Sequence, residues 1–470
     1  MSRFQLLKNL KVRLMEWAST PERVYLTVAL VGVVGFVLIT PPFQGPDEKS
    51  HYIRTQYVAN GYILPVDAGR SGAHLPASIE TVVSATYLKD SGDGGLKKYD
   101  IRSTYHALKT PLDADNTYQP PMISYTAVPY LPAVPGVVLS NALGLSPIIA
   151  FYVARLSLAL FCVLLTYLAI KIVPYKKYLF VGIALTPMLL FQQSVVSADG
   201  TSYALLVFFI CFVLHLRGRQ NISNKQWLAI AGLCVSITLA KPLVFLFLPL
   251  ILLLAKKNAA KILIPLITVL CIAVFAGITL YSSHRSEAVV DPNTPASVDS
   301  AMQLENIKEN PKRFLRVMWN SYMTDYGDEE TQGLIGIFGA ADTKFPLSMT
   351  LIYTIILAYL AATRFKKDDE QKIVPRGLKI MLASLGALYF ILVNVAIYLS
   401  FTPVNFNIVY GVQGRYFLPL LILAPLFTVP FLTILKKYQQ KSLIYICVSL
   451  LILILAALFI TFQRYYLFTP

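Results

Sequence analysis

Residues 24–40 read VYLTVALVGVVGFVLIT, an apolar run without a charged side chain that is long enough to cross a bilayer. Comparable runs recur at 346–363, 418–435 and 443–460. Of the 470 residues, 56% are hydrophobic and only 14% are charged, so one soluble core could not bury the apolar surface. The sequence therefore predicts an all-α, polytopic membrane protein whose solvent is lipid.

The N-terminal stretch and the cysteines argue against a cleaved signal peptide, disulfides and zinc sites. Met1–Arg23 is basic and amphipathic, and the first apolar run has no small-residue cleavage site, so the run is predicted to be an anchor rather than a cleaved signal. All five cysteines lie inside apolar runs without a CxxC pattern, which argues against disulfides and zinc sites. They are Cys162, Cys211, Cys234, Cys271 and Cys447.

The positive charge of the chain is distributed unevenly. Basic clusters in the N-terminal stretch and in five segments between apolar runs hold 23 of the 41 Lys and Arg residues against five acids. The other 18 basic residues face 20 acids. A positive excess confined to one set of loops is the positive-inside pattern of a membrane protein rather than a nucleic-acid footprint. The five segments lie at 171–177, 217–225, 256–261, 364–379 and 436–441.

This charge pattern fixes the predicted topology. If 122–140 crossed the membrane, every later basic loop would fall outside, and its three prolines also oppose a regular helix. We read 122–140 as a re-entrant or juxtamembrane element. The topology then has a cytoplasmic N-terminus, an extracytoplasmic C-terminus and about eleven transmembrane helices. The predicted spans are 24–40, 148–172, 178–196, 201–216, 226–240, 242–255, 261–281, 346–363, 379–401, 416–434 and 442–460.

The predicted organisation follows from these spans. Two polar regions on the outer side separate groups of transmembrane helices, and no segment has the character of a soluble domain. The divisions are 1–23 (cytoplasmic basic N-terminus), 24–40 (first transmembrane helix), 41–147 (first extracytoplasmic loop with juxtamembrane helices), 148–281 (transmembrane helices 2–7), 282–345 (second extracytoplasmic loop) and 346–470 (transmembrane helices 8–11 with an outer GRY loop).

The first candidate site directly follows the first span, in PPFQGPDEKSHYIR at 41–54. Asp47 and Glu48 emerge at the membrane boundary, where desolvation makes a carboxylate a better general base. Lys49 and Arg54 could neutralise a phosphate. The alternative is structural, because Asp47 after a proline could simply cap the helix that begins at Glu48.

The second candidate site is GVQGRYFLP at 411–419, at the outer entry to a span. Gly411 and Gly414 would let the backbone approach a ligand, and Arg415 offers a planar fork of donors. The alternative is an interfacial anchor, since Arg and Tyr are common at the membrane boundary.

Three further charges lie near the outer ends of spans. Asp199 and Lys241 fall at outer turns, and Arg155 lies about two turns inside a span. Charges at membrane depth are costly and therefore mark functional candidates. The alternatives are that Lys241 and Arg155 extend to the interface and that Asp199 caps a helix.

Two features of the second loop are assigned no chemistry. The acids within 325–330 lack metal-ligand spacing and are read as a solvated face. The glycine-rich stretch at 333–339 has neither a Walker lysine nor a strand–helix setting, so it is not a nucleotide loop. We expect no metal site and no cofactor; a divalent cation is not indicated.

Several of these stretches, in the same order, resemble the bacterial membrane family called domain of unknown function 2142. The resemblance covers nearly the whole chain, and the combination of PDE…H with GRYFLP is its most specific part. The stretches are PPFQGPDEKSHYIR (41–54), YQPPMISY (118–125), Arg155, TPMLLFQQSVVSADG (186–200), Lys241-Pro242, GLIGIFGAADTKFP (333–346) and GVQGRYFLP (411–419).

That family is similar to the GT-C superfamily of membrane glycosyltransferases, which includes protein mannosyl- and aminoarabinose transferases. The resemblance implies a polyprenyl-phosphate sugar donor and inverting transfer to an acceptor outside the cytoplasm. It places the catalytic acid position on Asp47 or Glu48, and a proline pair that opens a juxtamembrane helix on 120–121.

The resulting hypothesis gives each candidate a role. Asp47 or Glu48 would deprotonate an acceptor hydroxyl, Arg415 and Lys241 would hold the departing phosphate, and all would face one outer cavity. The partners would be the lipid-linked donor, an extracytoplasmic acceptor and membrane lipid, but no nucleic acid. The substrate-binding candidates are His51, Tyr52, Arg54, Arg155, Asp199, Lys241, Gln413, Arg415 and Tyr416.

Other functions are compatible with parts of this pattern. A transporter or flippase for a lipid-linked sugar would carry charges deep in mid-span and discontinuous helices, whereas here the polar residues gather near one face. A polymerase or ligase of lipid-diphosphate-linked saccharides would share the outer loops and the phosphate-binding arginines. A non-enzymatic scaffold would leave the boundary charges unexplained.

Overall fold

The fold is known from a computed structural model, which describes residues 12–65, 74–88, 97–113, 115–120, 125–283, 298–323, 332–365, 374–433 and 436–467. Helices dominate these residues, as predicted. The α-helices are α1 (Pro21–Ile39), α2 (Glu48–Ala59), α3 (Ala77–Thr86), α4 (Ile101–Ala107), α5 (Val134–Ala142), α6 (Pro147–Ile172), α7 (Lys177–Ala184), α8 (Pro187–Ser194), α9 (Ala198–Arg217), α10 (Asn224–Ala240), α11 (Ala260–Ser283), α12 (Ser300–Glu309), α13 (Pro311–Met323), α14 (Leu347–Ala362), α15 (Arg376–Ser400), α16 (Leu418–Phe427) and α17 (Lys436–Tyr466).

The remaining elements are short. Three 3-10 helices lie at Val128–Tyr130, Pro242–Leu254 and Gly414–Phe417. Three two-residue strand pairs complete the described structure: the antiparallel pairs β1 (Leu75–Pro76) with β2 (Thr117–Tyr118) and β3 (Ile337–Phe338) with β4 (Thr343–Lys344), and the parallel pair β5 (Thr363–Arg364) with β6 (Leu432–Thr433).

The membrane character predicted from composition is evident in the long helices. Six of the described helices are long and apolar enough to cross a membrane, and each coincides with a predicted span. They are Pro21–Ile39, Pro147–Ile172, Ala198–Arg217, Ala260–Tyr281, Arg376–Ser400 and Tyr438–Tyr466. Three shorter apolar helices fall on further predicted spans, at Pro242–Leu254, Leu347–Ala362 and Gly414–Phe427.

One predicted span is not a single helix. The segment 178–196 forms two consecutive short helices, α7 and α8, which are separated at Leu185-Thr186. The residues of both helices are buried. Pro187 lacks the N–H that would continue the hydrogen-bond ladder, so it begins a new helix instead. The span predicted at 416–434 likewise stops being helical at Phe427, three residues before Pro430.

The region 122–140 contains no long helix among its described residues. Its last part belongs to α5, whose nine residues are too short to cross a bilayer. Gly136 brings α5 against α6, because a Cβ on Gly136 would lie 2.6 Å from the carbonyl oxygen of Val153. The close approach of the two backbones places α5 on the side of a candidate span.

The helical bundle has two chemically different ends. At one end, which we call the basic end, the ends of α6 and α9 meet, and the start of α7 contacts the segments before α1 and after α14. Tyr178 donates to the carbonyl of Ala18 at 2.8 Å, Lys176 donates to the carbonyl of Pro425 at 2.8 Å, and Lys257 donates to the carbonyl of Arg219. Basic clusters that are distant in the sequence therefore gather at one end of the molecule.

The opposite end, which we call the loop end, carries the regions that connect α1 to α6 and α13 to α14. The last turns of α17 connect these two regions. Arg464 pairs with Asp342 at 2.5 Å, and Lys98 donates to the carbonyl of Arg464 at 2.8 Å. Four of the predicted site residues, Asp47, Asp199, Lys241 and Arg415, lie together at this loop end.

Candidate functional site

Asp47 is held in an unusual backbone conformation at the start of α2. Its φ of 54° lies in the left-handed region, which Asp tolerates better than most residues. Asp47 occupies the N-cap position, but its side chain accepts no capping hydrogen bond. The carboxylate is 65% exposed and lies 3.5 Å from the guanidinium of Arg415. The capping interpretation of Asp47 therefore does not describe this side chain.

Asp199 lies in the first turn of α9, where the helix dipole favours a negative charge. Ser197 is the N-cap of this helix and accepts from the backbone N–H of Gly200, so Asp199 is free for other contacts. Its carboxylate lies 2.5 Å from Nζ of Lys241 and 3.9 Å from Arg415. Asp199 therefore joins two cations instead of capping the helix.

Lys241 follows α10 and precedes a 3-10 helix that begins with Pro242. The proline ends the helical run, and the lysine extends towards α9 instead of the lipid. Its Nζ donates to Asp199 and, at 2.9 Å, to the hydroxyl of Tyr203. The same Nζ lies 5.6 Å from the centre of the Tyr416 ring. These contacts disagree with the interpretation of Lys241 as an interfacial anchor.

Arg415 is positioned by close backbone packing. A Cβ on Gly333 would lie 3.0 Å from the backbone nitrogen of Gly414, so the two glycines let their segments meet. The hydroxyl of Tyr203 donates to the carbonyl of Arg415 at 2.9 Å. The Arg415 side chain is 5% exposed, and its Nε has no hydrogen-bond partner among the described residues.

These four residues form one row of alternating charge, Asp47–Arg415–Asp199–Lys241, which we call the charge row. Successive members are 3.5, 3.9 and 2.5 Å apart. They come from four separate segments of the chain; the sequence-based mechanism requires Asp47, Lys241 and Arg415 to converge on one outer cavity. The row begins at an exposed carboxylate and ends at a lysine in contact with buried aromatic residues.

His51 lies one turn along α2 from Asp47. Its Nδ1 is 2.6 Å from the hydroxyl of Tyr130, and its ring centre is 5.0 Å from that of Tyr125. Burial lowers the pKa of His51, although the nearby charges of Asp47 and Asp199 oppose this shift. A neutral imidazole beside the charge row can exchange hydrogen bonds without adding another cation.

Glu48, the neighbour of Asp47, belongs to a different cluster. With Arg155 it forms a two-pronged ion pair at 2.6 and 2.7 Å, and both side chains are 0% exposed. The backbone N–H groups of Gly45 and Val196 also donate to Glu48, each at 2.9 Å. Arg155 donates in addition to the carbonyls of three α1-end residues, Val37, Thr40 and Pro41.

This Glu48–Arg155 cluster, which we call the buried pair, leaves no room for substrate. Each carboxylate oxygen of Glu48 already accepts two hydrogen bonds, and the guanidinium of Arg155 has five contacts within the protein. Arg155, which was predicted to bind substrate, therefore contacts only protein groups in this cluster. The sequence left Asp47 and Glu48 as alternatives for the base, and the structure places them in different clusters.

Arg54 and Tyr52 also have structural contacts. The guanidinium of Arg54 donates to the carbonyls of Tyr125, Tyr62 and Ile63 at 2.7, 2.7 and 2.8 Å, so it organises the loop after α2 instead of facing an open phosphate site. Burial lowers the pKa of Arg54 to about 10, which leaves it charged at neutral pH. Tyr52 is buried and donates to the carbonyl of Pro147 at 3.2 Å.

Two predicted site residues of the GRY loop, Gln413 and Tyr416, differ in their contacts with the charge row. Tyr416 contacts both cations of the charge row, since its ring centre lies 5.0 Å from the Arg415 guanidinium and 5.6 Å from Lys241. The Gln413 carbonyl accepts from the Tyr416 N–H at 3.0 Å, which shapes the turn. Within the part of the chain that the structure describes, the Gln413 side chain is half-buried and contributes no contact to the charge row.

The structure adds three tyrosines that the sequence analysis did not select. Tyr203 connects Lys241 to Arg415, and its position one helical turn after Asp199 was a usable signal. Tyr125 and Tyr130 surround His51, but their partners come from another segment, and no sequence spacing indicates that contact.

Metal binding has no support in the described ranges, where no three His, Cys, Asp or Glu side chains come together as metal ligands. The acids at 325–330 lie outside the described residues, as does the second proline of the pair at 120–121. The stretch 333–339 is described, and it packs against the GRY loop through Gly333.

The comparisons with known proteins agree with the residue patterns. Residues 30–424 match a family model described as predicted membrane protein (DUF2142). No curated protein and no solved structure matches the chain significantly. The match extends from within α1 to within α16, so it includes every member of the charge row and of the buried pair.

Proposed function

The chain belongs to the DUF2142 family of predicted membrane proteins, and from this premise we propose that it is an inverting glycosyltransferase of the GT-C type. It would transfer a sugar from a polyprenyl-phosphate donor to a glycan, lipid or protein acceptor of the cell envelope. The loop end would face the extracytoplasmic side, with about eleven membrane passes, a cytoplasmic N-terminus and an extracytoplasmic C-terminus. The clustering of basic residues at the opposite end supports this orientation.

The observation that carries the proposal is the exposed carboxylate of Asp47 at one end of the charge row. It caps no helix, lies in a left-handed conformation and contacts Arg415 at only 3.5 Å. Strained backbone conformations persist where the surrounding structure holds them, and they are enriched at active sites. A side chain in this position can accept a proton from a bound hydroxyl, which Glu48 in the buried pair cannot do.

In the proposed reaction, Asp47 removes the proton of an acceptor hydroxyl, whose oxygen attacks the anomeric carbon of the donor sugar. A new carbon–oxygen bond forms as the bond from that carbon to the phosphate oxygen breaks. The bonding electrons leave with the phosphate, and attack from the opposite side inverts the configuration. The proton remains on Asp47 until it is released to solvent.

Arg415 and Lys241 are suited to stabilise the departing phosphate. Both are held by Asp199, so their positions are fixed before a donor arrives, and preorganised charge is the most effective form of transition-state stabilisation. Arg415 also has a buried Nε without a partner in the described structure, which supplies an unused donor. An unpaired buried donor of this kind is costly unless a ligand occupies it.

The aromatic groups around the charge row suit a sugar. Tyr125 is 45% exposed and lies against His51, so one face of its ring is open beside the proposed base. Aromatic faces provide apolar contact to the C–H groups of a sugar ring, and the buried His51 and Tyr130 pack near the Tyr125 ring. We assign His51 the role of orienting the sugar or the base rather than that of accepting the proton.

A lipid-linked donor also needs an apolar surface for its tail. Helices α7, α14 and α16 border an apolar groove of about 400 Å³, which continues past Ala358 and Thr428 towards Phe431 at the basic end. Its opposite end is lined by Gln332, next to the glycine that touches Gly414. An isoprenoid chain in this groove would have its phosphate end near Arg415.

The proposal is tested by incubating the purified protein in nanodiscs with a panel of radiolabelled polyprenyl-phosphate sugars and cell-envelope acceptors. Asp47→Asn should lower the transfer rate by about 10²- to 10⁴-fold, the usual contribution of a general base. The matched control is Glu80→Gln, which removes another partly exposed loop-end carboxylate that pairs with a lysine at 3.5 Å. Full activity of the Asp47→Asn variant would disprove the assignment of the base, and inversion of the product is checked by its anomeric configuration.

A further inference from the structure

Helix α13 has a buried face and, opposite it, an exposed apolar face. Phe314, Val317 and Ser321 are buried, whereas Leu315, Trp319 and Met323 are 53%, 63% and 62% exposed. At about 100° per residue, the exposed apolar residues lie on the side of the helix opposite the buried ones. Large apolar side chains at every fourth position form a continuous ridge rather than scattered surface residues.

Basic residues lie along this ridge. Lys312 and Arg316 are both exposed and are spaced one helical turn apart, next to Leu315 and Trp319. The sequence of α13, PKRFLRVMWNSYM, contains no acid that could neutralise them. Arg313 is directed elsewhere, because it donates to the side-chain oxygen of Asn405 at 3.4 Å.

The depth of α13 relative to the membrane follows from its contacts. The ring of Phe314 lies 5.1 Å from that of Tyr398, and the hydroxyl of Tyr322 donates to Asn394 at 3.1 Å. Both partners lie in the last two turns of α15, a helix long and apolar enough to cross the membrane. The buried face of α13 therefore packs against the loop end of a candidate span, at the level where hydrocarbon meets water.

We propose that α13 lies in the membrane–water interface at the loop end and binds the phosphate groups of anionic phospholipids through Lys312 and Arg316. The ridge of Leu315, Trp319 and Met323 enters the boundary between headgroups and acyl chains. A helix with an apolar face, basic neighbours and a tryptophan is typical of binding to an anionic membrane surface. This proposal is independent of the glycosyltransferase function.

We assign lipid to this surface because α13 lies at the end of a candidate membrane span. A protein partner or an acceptor glycan could also cover an apolar ridge, but α13 packs on the last turns of α15, a candidate span, which puts the ridge at the level of the lipid boundary. Lys312 and Arg316 sit beside the ridge at headgroup depth, where each basic residue adds about 1 kcal/mol of attraction to an anionic lipid surface.

The test uses the fluorescence of Trp319 in the full chain. Trp17→Phe and Trp227→Phe leave Trp319 as the sole tryptophan of the three. In nanodiscs with brominated phosphatidylcholine, bromine near the glycerol should quench Trp319 strongly and bromine at the chain end weakly. Titrating brominated phosphatidylglycerol into unbrominated phosphatidylcholine then measures binding of the anionic lipid.

Lys312→Glu with Arg316→Glu should weaken the phosphatidylglycerol interaction by at least about thirtyfold, because two basic contacts are lost and two acidic side chains then repel the anionic lipid. The matched control reverses two other exposed loop-end lysines, Lys97→Glu with Lys308→Glu, and should leave the titration unchanged. Unfolding temperatures of all variants establish that they remain folded.

Three results would overturn the proposal. The first is a water-exposed emission of Trp319 without quenching by either bromine position, which would place the ridge in solvent or under a protein partner. The second is an equal loss of phosphatidylglycerol binding in the control variant. The third is displacement of the lipid effect by inorganic phosphate alone, which would indicate a soluble anion instead of a lipid.

Discussion

Two ion-pair clusters at the loop end start from adjacent residues but differ in almost every physical property. Glu48 enters the buried pair with Arg155, where both side chains are 0% exposed and the distances are 2.6 and 2.7 Å. Asp47 enters the charge row, where it is 65% exposed and lies 3.5 Å from Arg415. The positive φ of Asp47 is what sends the two carboxylates in different directions.

The two clusters differ in how completely their hydrogen bonds are satisfied, and we expect this difference to separate a structural charge from a reactive one. In the buried pair, backbone groups from the end of α1, the segment before α2 and the turn between α8 and α9 complete the hydrogen bonds of both ions. The charge row leaves an exposed carboxylate, two long ion-pair distances at Arg415 and, among the described residues, an Arg415 nitrogen without a hydrogen-bond partner, as the proposed substrate site requires. The following variants test this division in order of expected effect.

The largest expected effect is the loss of folding stability in the variant Arg155→Ala. The change leaves Glu48 as an uncompensated buried charge, which typically costs about 3–5 kcal/mol of stability. Thermal unfolding in mild detergent and the yield of monodisperse protein measure the loss. Asp47→Asn is the control and should keep the wild-type unfolding temperature. The distinction between a structural buried pair and a reactive charge row would be wrong if Asp47→Asn unfolded the protein and Arg155→Ala did not.

Arg415→Lys should affect activity more than folding. Lysine keeps the charge but loses the fork of donors that reaches Asp47 and Asp199, so the transfer rate should fall by about 10²- to 10³-fold. Arg464→Lys, at another loop-end Arg–Asp pair, is the matched control and should leave the rate near that of the wild type. Equal rates for the two variants would remove Arg415 from the proposed site.

Asp199→Asn separates binding from chemistry. Asp199 competes with a donor phosphate for Lys241 and Arg415, so its neutralisation should tighten donor binding while the cations lose their fixed positions. We expect both KM and kcat to fall, kcat by about tenfold, as when an interaction that opposes ground-state binding is removed. Steady-state kinetics over a range of donor concentrations provide the measurement; a raised KM would contradict the assigned role.

The smallest effect is a pH dependence from His51. Burial lowers the pKa of His51, so the folded state binds fewer protons than the unfolded state below the ordinary histidine pKa of about 6.5. Stability from this residue is therefore complete above that pH and is lost as the pH falls towards the lowered value, by at most about 1.4 kcal/mol per pH unit. Unfolding temperatures between neutral and mildly acidic pH should show this slope, and His51→Gln should reduce it. An unchanged slope in that variant would assign the titration to another group.

The sequence predicts the membrane character, the family and the positions of the long helices well, because composition and charge distribution act along the chain. It does not distinguish one spanning helix from α7 and α8 in series, since an apolar run has the same periodicity in both cases. The sequence patterns identified all four members of the charge row as candidate site residues. They identified Arg54 and Arg155 in the same way, although these two arginines have structural contacts. Those arginines are satisfied largely by backbone carbonyls, which leave no trace in the sequence.

The buried pair also has a consequence for how the chain enters the membrane during synthesis. Arg155 lies about two turns inside α6, where an arginine costs at most the roughly 2.5–3.5 kcal/mol of a central position in a helix that leaves the translocon. Glu48 is 107 residues earlier, so its carboxylate is already in place when α6 arrives, and pairing can offset the cost at once. Arg415, by contrast, is made long after Asp47. Synthesis therefore makes both ions of the buried pair available early, whereas the charge row is complete only when the last part of the bundle has been made.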